Sequence, residues 1–186
     1  IMVEKYFTAL SNACRKVDPN HLNLGIRYAG VPPKWAVKGM LSFDVFSMNC
    51  YMEKVPRDQT QEIHDLLNMP VIIGEWHFGA LDVGLPSSGI GHVKSQTDRG
   101  KAYRVYIEDA AANPYCIGTH WFTLYDQSAL GRFDGENYNI GFIDVCNRPH
   151  TAICNAAIMS HEDIYKVASG SNTPYNDAPE YLPKLF

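Results

Sequence analysis

An α/β fold of parallel strands, about half of a (β/α)8 barrel, is predicted by three features of this 186-residue sequence. Strand-like and helix-like stretches alternate about four times, which implies a parallel sheet with right-handed crossovers. The apolar run Val71 to Ile73, bounded by Pro70 and Gly74, reads as a strand buried on both faces. No glycine-rich phosphate fingerprint follows any strand, which disfavours a small doubly wound sheet. A complete barrel takes about eight βα units and about 250 residues, and this chain holds roughly half of that.

Val3, Phe7, Leu10, Cys14 and Val17 recur at helical spacing, and Asp18-Pro19-Asn20 ends that helix because proline cannot continue it. Leu22 to Ile26 reads as the first strand, delivering Arg27 and Tyr28. Pro32-Pro33 and Trp35 mark a loop, with a short helix to Leu41. Phe43 to Met48 is the second strand, delivering Asn49 and Tyr51. Asp58 to Leu67 is helical with Ile63, Leu66 and Leu67 inward, and the third strand then leads to Glu75. Residues 80–94 are rich in Gly, Pro and Ser, too long for a simple turn and so a candidate active-site loop. Gln96 to Ala112 is a helix. Tyr115 to Thr119 is the fourth strand, delivering His120, Trp121 and Phe122. Asp126 to Asn137 is a polar loop, Ile140 to Ile143 a short extra strand, and Pro149 to Met159 a closing helix. The expected division is a half-barrel over 1–168 and a surface-wrapping tail over 169–186. Because Ile1-Met2-Val3 enters a helical pattern with no strand before it, the sequence reads as a fragment of a longer chain.

The net charge of -4 and pI near 5.9 argue against a nucleic-acid binder. No apolar run is long enough to span a membrane, and no signal peptide opens the chain. Five cysteines without CxxC pairing give neither a disulfide framework nor a zinc site, and Cys14, Cys50, Cys116 and Cys154 read as buried thiols. No cofactor and no metal are implied, since no His/carboxylate spacing supports one.

Four successive strand ends present Arg27-Tyr28, Asn49-Tyr51, Glu75-Trp76-His77 and His120-Trp121. In barrels of this type the C-terminal ends of the strands carry the chemistry. A carboxylate there, walled by rings, suits attack on an anomeric carbon. Tyr51 is placed to hold Glu75 ionised by a hydrogen bond, or else to be a core tyrosine. Arg27 keeps the pocket positive, or pairs with Asp44. Trp121 offers a sugar platform or core packing. His77 and His120 either bond sugar hydroxyls or are satisfied core residues.

Specific stretches carry a family resemblance. Asp18 to Arg27 resembles the fifth-strand region of retaining glycosidases in the barrel clan with its nucleophile on strand seven. Asp44-Val-Phe-Ser-Met-Asn-Cys-Tyr51 resembles their sixth strand and Pro70 to Gly79 the nucleophile strand. Gly118-Thr-His-Trp-Phe122 with Gly131-Arg-Phe-Asp-Gly-Glu-Asn-Tyr-Asn-Ile-Gly-Phe142 resembles the eighth strand and its loop. Together they are most similar to the β-agarases of glycoside hydrolase family 50, over about residues 6–157.

The resemblance implies a hydrolase using retaining double displacement on the β-galactosidic linkages of agarose, with Glu75 as nucleophile and Tyr51 beside it. It implies substrate binding by Arg27, Asn49, Trp76, His77, His120, Trp121, Arg132 and Glu136. It places the expected partner as a galactose-containing polysaccharide or oligosaccharide and the setting as secreted or periplasmic. The clan's acid/base is a Glu after an Asn on strand four. No Asn-Glu pair ends any strand here, so the isolated chain is expected to be inactive; Asp82, Asp126, Asp134 and Glu136 sit on loops that could approach Glu75. The alternative is a non-catalytic carbohydrate-binding or self-assembling half-barrel. In that case the apolar Leu22–Ile26 and Tyr115–Thr119 edges are expected to recruit a second copy as a homodimer.

Overall fold

The computed structural model describes residues 2–183. In chain order it contains α1 (Met2–Val17), β1 (Arg27–Tyr28), α2 (Lys34–Val37) and a 3₁₀ turn (Lys38–Ser42). There follow β2 (Phe46–Asn49), α3 (Arg57–Leu67), β3 (Val71–Trp76), α4 (Gln96–Ala111), β4 (Cys116–Trp121) and α5 (Thr151–Ala168). The four strands form one sheet in the order β1-β2-β3-β4, every neighbouring pair parallel. Sequential parallel strands joined through helices are the arrangement of consecutive units in a (β/α)8 barrel. β1 and β4 are the edges of this sheet.

The core lies between the sheet and its helices. Phe46 and Met48 of β2, Val71, Ile73 and Trp76 of β3, Ile63 of α3 and Tyr106 of α4 are all essentially inaccessible to solvent. Helix boundaries follow local chemistry. Ser95 caps α4, its hydroxyl accepting from the Asp98 N–H at 3.1 Å. Asn68 ends α3 in the left-handed conformation at φ 51°.

Several expectations need correction. Leu22 to Ile26 is not a strand: Gly25 sits at φ +71°, and the Asn23 N–H is taken by the Asp44 carboxylate at 2.7 Å. The ladder therefore begins only at Arg27, and Leu22, Leu24 and Ile26 are exposed. β2 begins at Phe46 rather than Phe43. In α3 the buried stripe is Thr60, Ile63 and Leu67, leaving Leu66 on an exposed flank. Ile72 is only half-buried, so the third strand is covered completely on one face alone. Ile140 to Ile143 forms no continuous strand: side chains take the backbone of Gly141, while Phe142 and Ile143 bond to the Leu124 backbone and Ile143 makes only isolated bridges with Tyr125 and Pro149. Asp126 accepts the Gly141 N–H, and the Arg99 guanidinium donates to the Gly141 carbonyl.

The closing helix runs to Ala168, well past Met159. It is held along α4 by a buried bond from Ser160 Oγ to Glu108 at 2.7 Å and by a Tyr103–His161 bond at 3.0 Å. Cys14 is exposed and Cys154 half-buried, while Cys50 and Cys116 are buried as expected. Only the Phe7 and Ser11 stripe of α1 is covered, which leaves Cys14 outside it. From Ser169 to residue 183 the chain forms neither helix nor strand. It returns to the loop between β3 and α4, where Lys94 N–H donates to the Glu180 carbonyl and Leu182 N–H to the His92 carbonyl. The last three residues of the expected tail, and Ile1 of the opening helix, lie outside the described residues.

Candidate active site

A one-residue defect in β3 decides which side chains reach the face of the sheet that carries Arg27 and Ser47. Across β2, Met48 pairs with Ile73 and Asn49 with Glu75, so Gly74 is extra. Across β4, Ile73 pairs with Thr119 and Trp76 with Trp121, and β3 again carries one residue too many. This is a β-bulge, which breaks the strict alternation of sides. Ile73 and Trp76 consequently share the helix-facing side. Glu75 turns to the opposite face, where the Arg27 side chain and Ser47 Oγ crowd so closely over Gly74 that a Cβ there would collide with both. Glycine is the residue this position accepts.

On that face Glu75 is held at both carboxylate oxygens. The Tyr51 hydroxyl donates a short hydrogen bond to Glu75 Oε1, and Arg27 Nη2 forms an ion pair with Oε2 at 2.7 Å. Arg27 Nη1 also donates to the Gly74 carbonyl at 2.9 Å, fixing the guanidinium relative to the bulge itself. Burial first, then the adjacent Glu75 carboxylate, raises the Tyr51 pKa above that of an ordinary phenol, so Tyr51 stays a donor. The Glu75 side chain is 15% exposed and Arg27 47%, so the pair opens to solvent on one side. Asn49 lies beside Glu75 in register, and its buried Oδ1 has no hydrogen-bond partner among the described residues. Arg15, not Arg27, pairs with Asp44.

The ring-bearing neighbours lie elsewhere. Trp76 is 1% exposed and stacks on Tyr106 at 3.9 Å, with the edge of Trp121 at 4.7 Å. Trp121 packs among Tyr103 and Phe142 and donates its indole N–H to the Ile140 carbonyl at 2.9 Å. Trp76 is sealed in the aromatic layer under α4, and Trp121 packs on that layer while staying partly exposed. His77 is buried, and its Nε2 accepts from the Ile90 N–H at 3.0 Å. Burial, with the nearby Arg99 charge, lowers its pKa to about 3, so it is a neutral ring pinning the 80–94 loop. His120 is exposed at the end of β4.

The loop after β4 carries Arg132 and Glu136. Arg132 pairs with Glu136 at 2.9 Å and with Asp134, and Glu136 also accepts from Gln127 Nε2 at 2.8 Å. The Arg132 guanidinium lies 5.8 Å from the Phe122 ring, just beyond β4, and feels the Glu75 charge. Of the four loop carboxylates, Asp126 is buried against His150 Nε2 at 2.9 Å, and Asp82 accepts the Gln96 N–H at 3.0 Å. The Asp126–His150 bond ties this loop to the start of α5, and the buried Arg99, which also donates to the Phe78 carbonyl at 2.7 Å, ties its Gly141 to the segment just after β3. Nothing in the sequence pattern singled out those two anchors. The bulge did leave a signal, a lone glycine inside an apolar strand.

The fold and site together define a class: a portion of a (β/α)8 barrel with a clamped carboxylate at the C-terminal end of an inner strand. The comparisons agree. The chain is 41% identical over 164 residues to β-agarase B of Vibrio sp. (strain JT0107), covering 87% of this chain and 17% of that protein. It superposes on an exo-β-agarase with a TM-score of 0.85 at 39% identity, covering 91% of this chain and 23% of that one. For PfGH50B the TM-score is 0.84 at 38% identity, with 89% and 25% covered. No family model matches. The chain resembles a segment of glycoside hydrolase family 50 β-agarases and spans about a fifth of the length of the relatives it matches.

Proposed function

We propose that this chain supplies the nucleophile half of a retaining glycoside hydrolase that cleaves β-galactosidic linkages of an agarose-type polysaccharide, with Glu75 as nucleophile. The observation that carries the reading is the two-point grip on Glu75 by Tyr51 and Arg27. Two donors on one carboxylate favour its ionised form and fix its direction.

In the first step a Glu75 oxygen attacks the anomeric carbon. The glycosidic C–O bond breaks, and a proton passes to the leaving oxygen from an acid about 5–5.5 Å away. In the second step water attacks the same carbon while its proton passes to the deprotonated acid of the first step, the ester bond breaks, and Glu75 is regenerated as a carboxylate. Tyr51 and Arg27 hold the carboxylate oxygens while one becomes an ester oxygen, and Asn49 offers an unpartnered acceptor to a sugar hydroxyl. The acid/base is proposed to be a Glu outside this sequence. Asp126, Asp134 and Glu136 are already engaged with His150, Arg132 and Gln127, and no Asn-Glu pair ends β1 to β4. The galactan substrate follows from the resemblance to proteins named β-agarases.

The test is Glu75→Gln in the native polypeptide with whatever flanking sequence it carries. Loss of roughly 10⁴–10⁶-fold in kcat, with retained folding, is expected. Activity within tenfold of wild type would remove Glu75 from the reaction.

A further inference from the structure

We infer that the tip of the loop after β4, with Phe133 as its platform and Leu130 beside it, is an outlying binding subsite for a neutral polysaccharide chain. The inference rests on the reading of the Glu75 cleft given above. Leu130 is 99% exposed and Phe133 100%. Two large apolar side chains fully in water at one turn cost free energy of solvation that the fold does nothing to recover.

The turn that presents them is built rather than slack. Arg132 N–H donates to the Glu136 carbonyl at 2.8 Å, Gly135 N–H to the Arg132 carbonyl at 2.9 Å and Gly131 N–H to the Ser128 carbonyl at 2.9 Å. At its root Gln127 and Tyr138 exchange two bonds, the Gln127 side chain accepting at 2.7 Å. Gly131 and Gly135, at φ +85° and +89°, supply the left-handed corners.

The tip is aimed by Arg132. Its guanidinium lies 5.8 Å from both the Phe133 ring and the Phe122 ring, so one side chain links the exposed ring to the end of β4, next to β3 in the sheet. A pyranose presents an apolar C–H face that matches an aromatic face. The charges around it select the occupant. Arg132 with Asp134 and Glu136 sums to one net negative charge, which disfavours a polyanion. A protein surface closing over the tip would have to desolvate those ion pairs, a costly step, whereas a hydrated sugar chain leaves them wet.

The experiment compares Phe133→Ala with wild type, both as the native polypeptide. Two readouts are taken: kinetics on long agaro-oligosaccharides and on a small aryl β-galactoside, and retention on agarose gel measured in a Glu75→Gln background. The expected result is a roughly tenfold rise in KM for the long chain with kcat unchanged, an unaltered aryl galactoside rate, and weakened retention. Unchanged retention and KM would overturn the inference. So would equal losses on both substrates accompanied by a lower melting temperature, which would mark a packing role. If Glu75→Gln turns over substrate within tenfold of wild type but Phe133→Ala still weakens retention, the subsite stands and the chemical reading of Glu75 falls.

Discussion

Glu75 and Trp76 are adjacent in sequence and end on opposite sides of the same strand. Glu75 is gripped by Tyr51 and Arg27 where the sheet opens to solvent; Trp76 is sealed between the sheet and Tyr106 of α4. Strict alternation would have reversed their places, putting the carboxylate on the side of Ile73 and the indole over Arg27. The bulge at Gly74 prevents this. A charge buried without partners is among the costliest features a core can hold, so the bulge protects stability as much as it serves the site. One face of β3 is therefore organised for packing and the other holds the clamped carboxylate.

The difference can be broken from either side. On the packing face, Trp76→Ala removes a fully buried ring with stacking partners and is expected to cost about 3–5 kcal/mol. Chemical denaturation of the variant checks this, and a loss of less than about 1 kcal/mol would show that the indole is not the keystone of that layer. The reverse holds for Glu75→Gln, which should leave stability within about 1 kcal/mol while removing the proposed chemistry.

A smaller effect separates His77 from the site. Its imidazole is held at about 3 in the fold against 6.5 as its ordinary value. Above pH 6.5 both the folded and the unfolded chain carry it neutral, and it leaves stability unchanged. As pH falls from about 6.5 towards 3 the unfolded chain binds a proton that the fold refuses, and stability drops by up to about 1.4 kcal/mol per pH unit. In His77→Gln, which keeps an acceptor for the Ile90 N–H, the decline between pH 7 and pH 5 should be shallower. Urea midpoints at the two pH values decide it, and parallel declines would show that His77 is not the group responsible.

Much of this was legible beforehand. Alternation, the apolar strand at Val71–Ile73 and the polar strand ends gave the parallel sheet and brought Arg27, Asn49, Tyr51 and Glu75 to one end of it. The sense in which individual rings point was not legible. Trp76 and His77 follow Glu75 directly, and only the pairing register shows that the bulge sends the indole into the core. Trp121 leans on the same layer, since its partner across the ladder is Trp76, and it remains partly exposed. The Leu22–Ile26 strand was lost to a left-handed glycine and a carboxylate that competes for the backbone. The Ile140–Ile143 strand was reduced to isolated bridges because Arg99 and Asp126, long-range partners that no local pattern announces, take the backbone of Gly141 within it. The exposure of Phe133 is likewise a property of the folded turn and leaves no mark in composition.

The central claim is that the residue turned into the cleft by the Gly74 bulge is the one that reacts. Incubating the native polypeptide with a 2-deoxy-2-fluoro β-galactoside bearing a good leaving group should trap the glycosyl ester, which peptide mass spectrometry then locates. The account predicts a single label on the peptide containing Glu75, absent in Glu75→Gln. A label on Asp82, Asp134 or Glu136, with Glu75 unmodified, would contradict it.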